Sequence, residues 1–253
     1  MKKFVLLVAV LVVTTMSVSA NDLVHTIKTV KNGVVAIGLH TPLESSAPAI
    51  RGTGFVFGNG RYIATNYHVV AQTLDPSIVQ NYVALAGEGR APVMHKLSIV
   101  AIQPVHDLAI LQLESPLAPL VLSEDAFLPE GSMVALTGFP IGSVLGLYPA
   151  THQAMIAAIT PDAIPLHNTQ GLSQRLIDKL QAPSMVYQLD GTAYPGNSGS
   201  PLYSPVTGEV VGIINKVIVS EGKESAISTP TGISYAIPVK YLRALAQKHN
   251  IQV

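Results

Sequence analysis

Three residues of the sequence, His68, Asp107 and Ser198, have side chains that together can turn a hydroxyl group into a nucleophile. A serine hydroxyl is a weak nucleophile at neutral pH, and a neutral imidazole can take its proton during attack and return it later to the leaving group. A carboxylate on the other ring nitrogen fixes the imidazole tautomer and stabilises the imidazolium that forms. Together the three residue types predict covalent acyl transfer, provided that the fold brings them together.

Each of the three residues also has a structural interpretation. His68 ends an apolar strand pattern in ATNYHVV and could be a core histidine bonded to the backbone. Asp107 begins the pattern DLAILQL and could cap that strand, and Ser198 in PGNSGSP could belong to an ordinary turn. The order of the set, with histidine first and serine last, is one of the chain orders that known triads use. It favours the catalytic interpretation.

Small residues on both sides of Ser198 predict a tight turn with accessible backbone N–H groups. In such a turn the N–H groups of Gly196 and Ser198 can point at one spot, where they would stabilise the oxyanion of a tetrahedral intermediate. We therefore predict an oxyanion hole at Gly196, Asn197 and Ser198.

The elements that must position these residues are short strands. The 20 glycines and 18 prolines recur between Val/Ile-rich runs such as GTGFVF, YIATNYHVV, LAILQL and EVVGIIN. Short strands at regular spacing predict an all-β sandwich or barrel, and the lack of long helical patterns between them argues against a parallel α/β sheet. Two helices are predicted, one in GLSQRLIDKL within a loop at residues 161–182, and one in the terminal PVKYLRALAQKHN with Val239, Leu242 and Leu245 on one face.

Composition excludes several classes of function. The formal net charge of the whole chain is zero, so nucleic acid and anionic lipid are not expected as partners. The chain has no cysteine, which excludes thiol catalysis and cysteine-ligated metal. Its 8 histidines form no pair or carboxylate cluster at ligand spacing, so neither a metal nor another cofactor is predicted. His106, beside Asp107, is expected to point the other way and to be exposed.

Residues 1–20 have the pattern of a secretory signal peptide. Lys2 and Lys3 precede an apolar run of about ten residues, shorter than the roughly 20 that span a bilayer, and small residues allow cleavage after Ala20. The alternative is an uncleaved membrane anchor. With the signal removed, we expect a periplasmic or secreted protein that does not stay in the membrane. The predicted domains are residues 21–120 and 121–253.

The motifs in this order resemble the trypsin-like serine proteases, and within them the bacterial HtrA/Deg-type proteases. The resemblance rests on GTGFVFGNGRYIATNYHVVA, HDLAIL, LDGTAYPGNSGSPL and TGISYAIPVKYL, and it runs from about Val34 to Leu242. It implies two six-stranded antiparallel β-barrels of the chymotrypsin type, a C-terminal helix and an active site in the cleft between the barrels. It further implies His68 as base, Asp107 as the group that orients it and Ser198 as nucleophile, with a peptide or unfolded protein as substrate.

The chain also departs from the family pattern. Ser200 stands where the family has a second glycine after the nucleophile, as in the glutamyl endopeptidase branch, but Ile214 occupies the place of the histidine on which that branch relies. Ser234 replaces a glycine of the closing strand. A PDZ domain is not expected after Leu242, since only eleven residues follow in a chain of 253. The oligomeric state is left open.

By the same resemblance, the residue six positions before the nucleophile lies at the floor of the first specificity pocket. Here that residue is Thr192, which offers no carboxylate to pair with an arginine or lysine side chain. We expect a preference for small or medium apolar side chains in a pocket built from Thr192, Ala193, Ile214, Asn215 and Ser234.

Two other functions fit the same motifs. One is a non-catalytic binding or chaperone-like protein that keeps the protease fold, and the intact set of residue types argues against it. The other is hydrolysis of esters, which uses the same acyl-transfer chemistry. The loop at residues 161–182 is either a lid or regulatory element or a peripheral insertion.

Overall fold

The computed structural model describes residues 21–140, 146–162, 183–215 and 232–253. The predicted signal peptide, the helix predicted in GLSQRLIDKL and most of the loop at 161–182 lie outside these residues. The first barrel consists of β1 (Val34–His40), β2 (Ala49–Phe57), β3 (Tyr62–Asn66), β4 (Asn81–Ala86), β5 (Val93–Gln103) and β6 (Leu108–Leu113). The second consists of β7 (Met133–Gly138), β8 (Ala150–Pro161), β9 (Met185–Asp190), β10 (Pro201–Tyr203), β11 (Val210–Asn215) and β12 (Ile233–Pro238).

Both sheets close on themselves through antiparallel pairs. The strand order is β1-β2-β3-β6-β5-β4 in the first barrel and β10-β11-β12-β9-β8-β7 in the second. Closure removes the exposed strand edges that an open sheet would leave. The predicted all-β fold of two six-stranded barrels is therefore confirmed for the part of the chain that the structure describes.

The strands carry apolar residues on both faces because each barrel has an inside and a side that meets its neighbour. In β6, Ala109, Leu111 and Leu113 lie inside the first barrel, whereas Leu108 and Ile110 belong to a core between the barrels. The core between the barrels also takes residues from the second barrel, among them Phe139, Tyr203, Val210, Ile213 and Ile237. Burying a side chain of this size contributes about 1.5–3 kcal/mol, so the barrels are held together as well as filled.

The C-terminal helix α2 (Val239–Lys248) follows directly on β12. It buries Val239, Leu242 and Leu245, as the spacing predicts, together with Ala246. Arg243 on its side donates hydrogen bonds to the Leu122 and Ser123 carbonyls of the connection between the barrels, at 2.9 and 2.8 Å. The helix therefore fastens that connection to the second barrel.

An N-terminal helix, α1 (Asn21–Lys31), was not predicted from the sequence. Its apolar residues Leu23, Ile27 and Val30 follow helical spacing, but the segment is short and the pattern is weak. Tertiary contacts support it, since Val30 is buried in the core between the barrels and the Thr26 hydroxyl donates to the Val206 carbonyl at 3.3 Å. No helix among the described residues is both long and apolar enough to cross a lipid bilayer.

Candidate active site

His68 and Asp107 are in direct contact at one end of the first barrel. The histidine lies in a short 3-10 helix, Tyr67–Val69, immediately after β3, and the aspartate comes immediately before β6. Because β3 and β6 are antiparallel neighbours, residues that are 39 positions apart in the chain meet there. His68 Nδ1 lies 2.6 Å from Asp107 Oδ2, and the His68 backbone N–H donates to Asp107 Oδ1 at 2.9 Å. This leaves Nε2 as the ring nitrogen that faces away from the carboxylate.

The backbone at Asp107 is held in an uncommon conformation. Its φ is 52°, in the left-handed region that Asp and Asn tolerate better than most residues. The Tyr67 N–H and the Asn66 side-chain amide both donate to the Asp107 carbonyl, at 3.0 and 3.2 Å. These bonds hold the Asp107 backbone beside the segment that carries His68. Only 13% of the aspartate side chain is exposed, against 32% for the histidine, so the pair is screened on the carboxylate side.

Ser198 lies in a tight turn of the second barrel between β9 and β10. The Asn197 N–H donates to the Tyr194 carbonyl and the Ser200 N–H to the Asn197 carbonyl, each at 3.0 Å. Gly196 has a φ of 96°, which glycine adopts without strain. Neither the Gly196 N–H nor the Ser198 N–H donates to a backbone carbonyl of the described residues. The Asn197 N–H already donates to a carbonyl inside the turn. Asn197 therefore shapes the predicted oxyanion hole without supplying a donor to it.

The Ser198 turn is pressed against β2 of the first barrel. The Thr53 N–H donates to the Ser198 carbonyl at 2.8 Å, and a Cβ on Gly199 would overlap the Thr53 carbonyl oxygen. A Cβ built on Gly52 would lie 2.9 Å from the Ser198 carbonyl oxygen and 2.8 Å from Val69 Cγ2. Ser198 therefore lies across Gly52 from Val69, the residue that follows His68. The Ser198 turn of the second barrel and the 3-10 helix that carries His68 thus both lie beside Gly52, at the boundary between the barrels.

The predicted pocket residues divide into a wall and a core. The Ser234 hydroxyl donates to the Gly191 carbonyl and accepts from the Ala193 N–H, both at 2.6 Å, so it braces the segment that contains Thr192. Thr192 and Ala193 are half-buried. The Ile214 side chain is fully buried in the core of the second barrel, against which Ala193 packs. Residues 216–231 lie outside the described part of the chain.

Asn215 lies close to Asp107 of the first barrel. The two residues line a cavity of about 20 Å3 between the barrels, together with His106 and Tyr241. The expectation that His106 is exposed is wrong, because its ring is half-buried and stacks on Tyr241 of α2 with ring centroids 4.2 Å apart. The alternation of strand faces does not apply to it, since β6 begins only at Leu108.

Sequence reasoning missed the contacts that Thr53 makes across the barrels and the contact of His152 within the second barrel. Thr53 lies between the two glycines of GTGF and gave no chemical signal of its own. The ring of His152 in β8 lies 5.7 Å from that of Tyr194, centroid to centroid, and burial lowers the pKa of His152 below its ordinary 6.5.

No three His, Asp or Glu side chains of the described residues gather as they would around a metal ion.

Comparison with known proteins bears on the family and the fold of the chain. Residues 52–213 match the trypsin-like peptidase domain. A probable periplasmic serine endoprotease of the DegP-like type from Marinomonas sp. is 28% identical over 82% of this chain, and one from Chlamydia pneumoniae is 30% identical over 76%. The chain spans about a third of the length of these relatives, 37% and 33% respectively.

Among solved structures, the HtrA-type protease AlgW with a decapeptide superposes with a TM-score of 0.66 and 19% identity. That similarity covers 90% of this chain and 67% of the other, and at this identity it bears on the fold alone. The chain belongs to the trypsin-like peptidase domain family. Its relatives by sequence and by fold are HtrA-type proteins.

Proposed function

We propose that the protein is a serine endopeptidase in which Ser198 is the nucleophile, His68 the general base and Asp107 the group that orients the base. The observation that carries the proposal is the contact of 2.6 Å between His68 Nδ1 and Asp107 Oδ2, on the side of the ring away from Nε2. An acceptor at Nδ1 fixes the tautomer that has a free lone pair on Nε2, which is the state a general base needs.

In the proposed reaction, Ser198 Oγ attacks the carbonyl carbon of the scissile peptide bond while His68 Nε2 takes the hydroxyl proton. The electron pair of the C=O bond moves onto oxygen, where the Gly196 and Ser198 N–H groups stabilise the charge. The C–N bond then breaks, and the imidazolium gives its proton to the leaving amine. Water attacks the acyl-enzyme with His68 as base, which releases the carboxylic acid and restores Ser198.

The proposed substrates are unfolded proteins, cut after small or medium apolar side chains. Support comes from Thr192 and Ala193, which bring no charged group to the proposed pocket floor, and from Ser234, whose hydroxyl is occupied by the Gly191 carbonyl. An arginine or lysine side chain would find no buried carboxylate on these residues, and an unpaired cation is costly to desolvate.

The test is cleavage of unfolded casein by the mature protein, by Ser198→Ala and by the matched control Ser200→Ala, with mass spectrometry of the products. We expect cleavage by the parent and by Ser200→Ala, none by Ser198→Ala, and cut sites mainly after Ala, Val or Leu. A fluorophosphonate probe should label Ser198 only. If no form of the protein cleaves casein and none is labelled, the result would instead favour a non-catalytic protein that binds unfolded chains.

We propose a periplasmic location, supported by the periplasmic relatives and by the signal pattern of residues 1–20. The test is cell fractionation with N-terminal sequencing of the mature chain. A first residue of Asn21 in the periplasmic fraction is the expected result, and a chain that keeps Met1 in the membrane fraction would contradict it.

A further inference from the structure

Thr53 belongs to β2 of the first barrel, yet both hydrogen-bond partners of its hydroxyl among the described residues lie in the second barrel. The hydroxyl donates to the Gly196 carbonyl at 2.7 Å and accepts from the Phe139 N–H at 3.0 Å. The Thr53 N–H donates to the Ser198 carbonyl at 2.8 Å. The side chain is fully buried, so water does not compete for these bonds.

The direction of the hydroxyl proton is fixed by this geometry. A threonine hydroxyl has one proton to donate and lone pairs that accept. Since the Phe139 N–H occupies the acceptor side, the proton is free to point at the Gly196 carbonyl. The Thr53 carbonyl in turn accepts from the Thr65 hydroxyl at 2.7 Å, which holds the residue in its strand.

The turn's own bonds hold the Asn197 N–H and the Asn197 carbonyl, whereas the Gly196 and Ser198 carbonyls accept from Thr53. Glycine has no Cβ and populates both signs of φ at similar cost, so the backbone at Gly196 does little by itself to fix the direction of its carbonyl. The Thr53 hydroxyl donates a hydrogen bond to the carbonyl of the Gly196–Asn197 peptide. The Thr53 N–H donates one to the carbonyl of the Ser198–Gly199 peptide. The peptide that carries the Ser198 N–H lies between the two, so both of its neighbours are held from the opposite barrel.

We infer that Thr53 is a positioning residue for the oxyanion hole: its hydroxyl fixes the peptide orientation in which the Gly196 and Ser198 N–H groups converge. The inference rests on the proposed function, and it concerns a residue that touches neither the substrate nor the reacting atoms. It predicts that loss of the hydroxyl weakens binding of the transition state while binding of the ground-state peptide stays the same.

The experiment compares Thr53→Val, which keeps the shape and removes the hydroxyl, with Thr53→Ser, which keeps the hydroxyl. On a chromogenic peptide substrate, kcat of Thr53→Val should fall by about 10- to 100-fold at unchanged KM, less than the 100- to 1,000-fold that loss of a whole oxyanion donor costs. Binding of a peptide aldehyde, which forms a tetrahedral adduct on the nucleophile, should weaken by the same factor. Thr53→Ser should restore kcat to within a few fold.

Thr137→Val is the matched control. Thr137 is also a fully buried threonine with two hydroxyl contacts, to Thr151 Oγ1 and Tyr203 Oη at 2.8 Å each, but it holds no part of the Ser198 turn. Its loss should lower the melting temperature and leave kcat unchanged. If Thr53→Val does not fold, Thr53→Cys takes its place, since the thiol is a weaker donor of similar size. The kcat of Thr53→Cys should then be lower than that of Thr53→Ser.

Three outcomes would overturn the inference. The first is a folded Thr53→Val or Thr53→Cys enzyme with parental kcat. The second is an equal fall of kcat in Thr53→Val and Thr137→Val, and the third is a loss that serine does not restore. A failure of the proposed function gives a different result, because then either no form, the parent included, would cleave peptide, or Ser198→Ala would cleave it as fast as the parent.

Discussion

Gly138 and Ser200 face each other across a space too small for a second side chain. A Cβ on Gly138 would overlap Ser200 Oγ, and it would lie 2.9 Å from Asn197 Oδ1 and 3.0 Å from Thr53 Oγ1. Ser200 stands where the trypsin-like serine proteases that the motifs resemble have a glycine. Its hydroxyl fits there because residue 138 has no side chain. The glycine at the end of β7 therefore leaves the space that the Ser200 hydroxyl occupies beside the Ser198 turn.

Gly138→Ala should destabilise the protein by about 1–3 kcal/mol, the usual cost of an added methyl group in a well-packed core. Ser200→Gly in the same chain should recover part of the loss, since it removes the oxygen that the new methyl group meets first. Urea unfolding of the two single variants and the double variant measures this coupling. Strictly additive effects would show that the two residues do not share the space.

Asp107→Asn should lower kcat on a peptide substrate by about 10,000-fold, because an amide in place of the carboxylate favours the wrong imidazole tautomer. Asparagine also tolerates a φ of 52°, so the turn keeps its shape and the change is confined to the charge and the hydrogen bond. Steady-state kinetics with circular dichroism as the folding control measure the effect. A variant within tenfold of the parent would contradict the role given to Asp107.

Arg243→Ala should lower the free energy of unfolding by about 1.5–3 kcal/mol, the range for hydrogen bonds that involve a charged group. The change leaves the carbonyls of Leu122 and Ser123 without their donor. Asp125→Ala is the matched control, since Asp125 pairs with the same guanidinium at 3.5 Å but its side chain is 61% exposed. Its loss should cost no more than about 1 kcal/mol in the same denaturation measurement. Equal effects would mean that the ion pair matters more than the carbonyl contacts.

The stability of the protein should fall as the pH drops below 6.5, in part because of His152. Burial lowers the pKa of His152 in the folded state, so between that value and 6.5 the unfolded chain binds more protons than the folded one. The stabilisation is fully present above 6.5 and is lost as the pH falls through the folded pKa. His152→Phe should flatten this part of a plot of melting temperature against pH. An unchanged slope between pH 7.5 and 5 would contradict the assignment.

The sequence predicted what depends on local pattern. Strand runs such as LAILQL, the apolar face of α2 and the order of His68, Asp107 and Ser198 were all readable, because each is a matter of residue type and short spacing. The contact between His106 and Tyr241 was not, since it joins a turn of one barrel to the helix of the other. The role inferred for Thr53 also depends on a partner 143 positions away, which no local pattern contains.

The pocket illustrates the same limit. Thr192, Ala193 and Ser234 could be named by their distance from motifs, and the structure brings Ala193 and Ser234 into contact. Ile214 and Asn215 are neighbours on one strand, but Ile214 belongs to the core of the second barrel and Asn215 lines the cavity beside Asp107. Strand alternation separates them, but which face meets which surroundings depends on how the two barrels dock.

The bond from the Thr53 N–H to the Ser198 carbonyl joins the two barrels and also shapes the nucleophile turn. A slight parting of the barrels, too small to melt either core, would stretch this bond and spoil the turn. We therefore expect that, on heating, catalysis stops before either barrel unfolds. On cooling, it should return once the bond between the barrels forms again. Catalytic activity would then report how closely the two barrels are packed against each other.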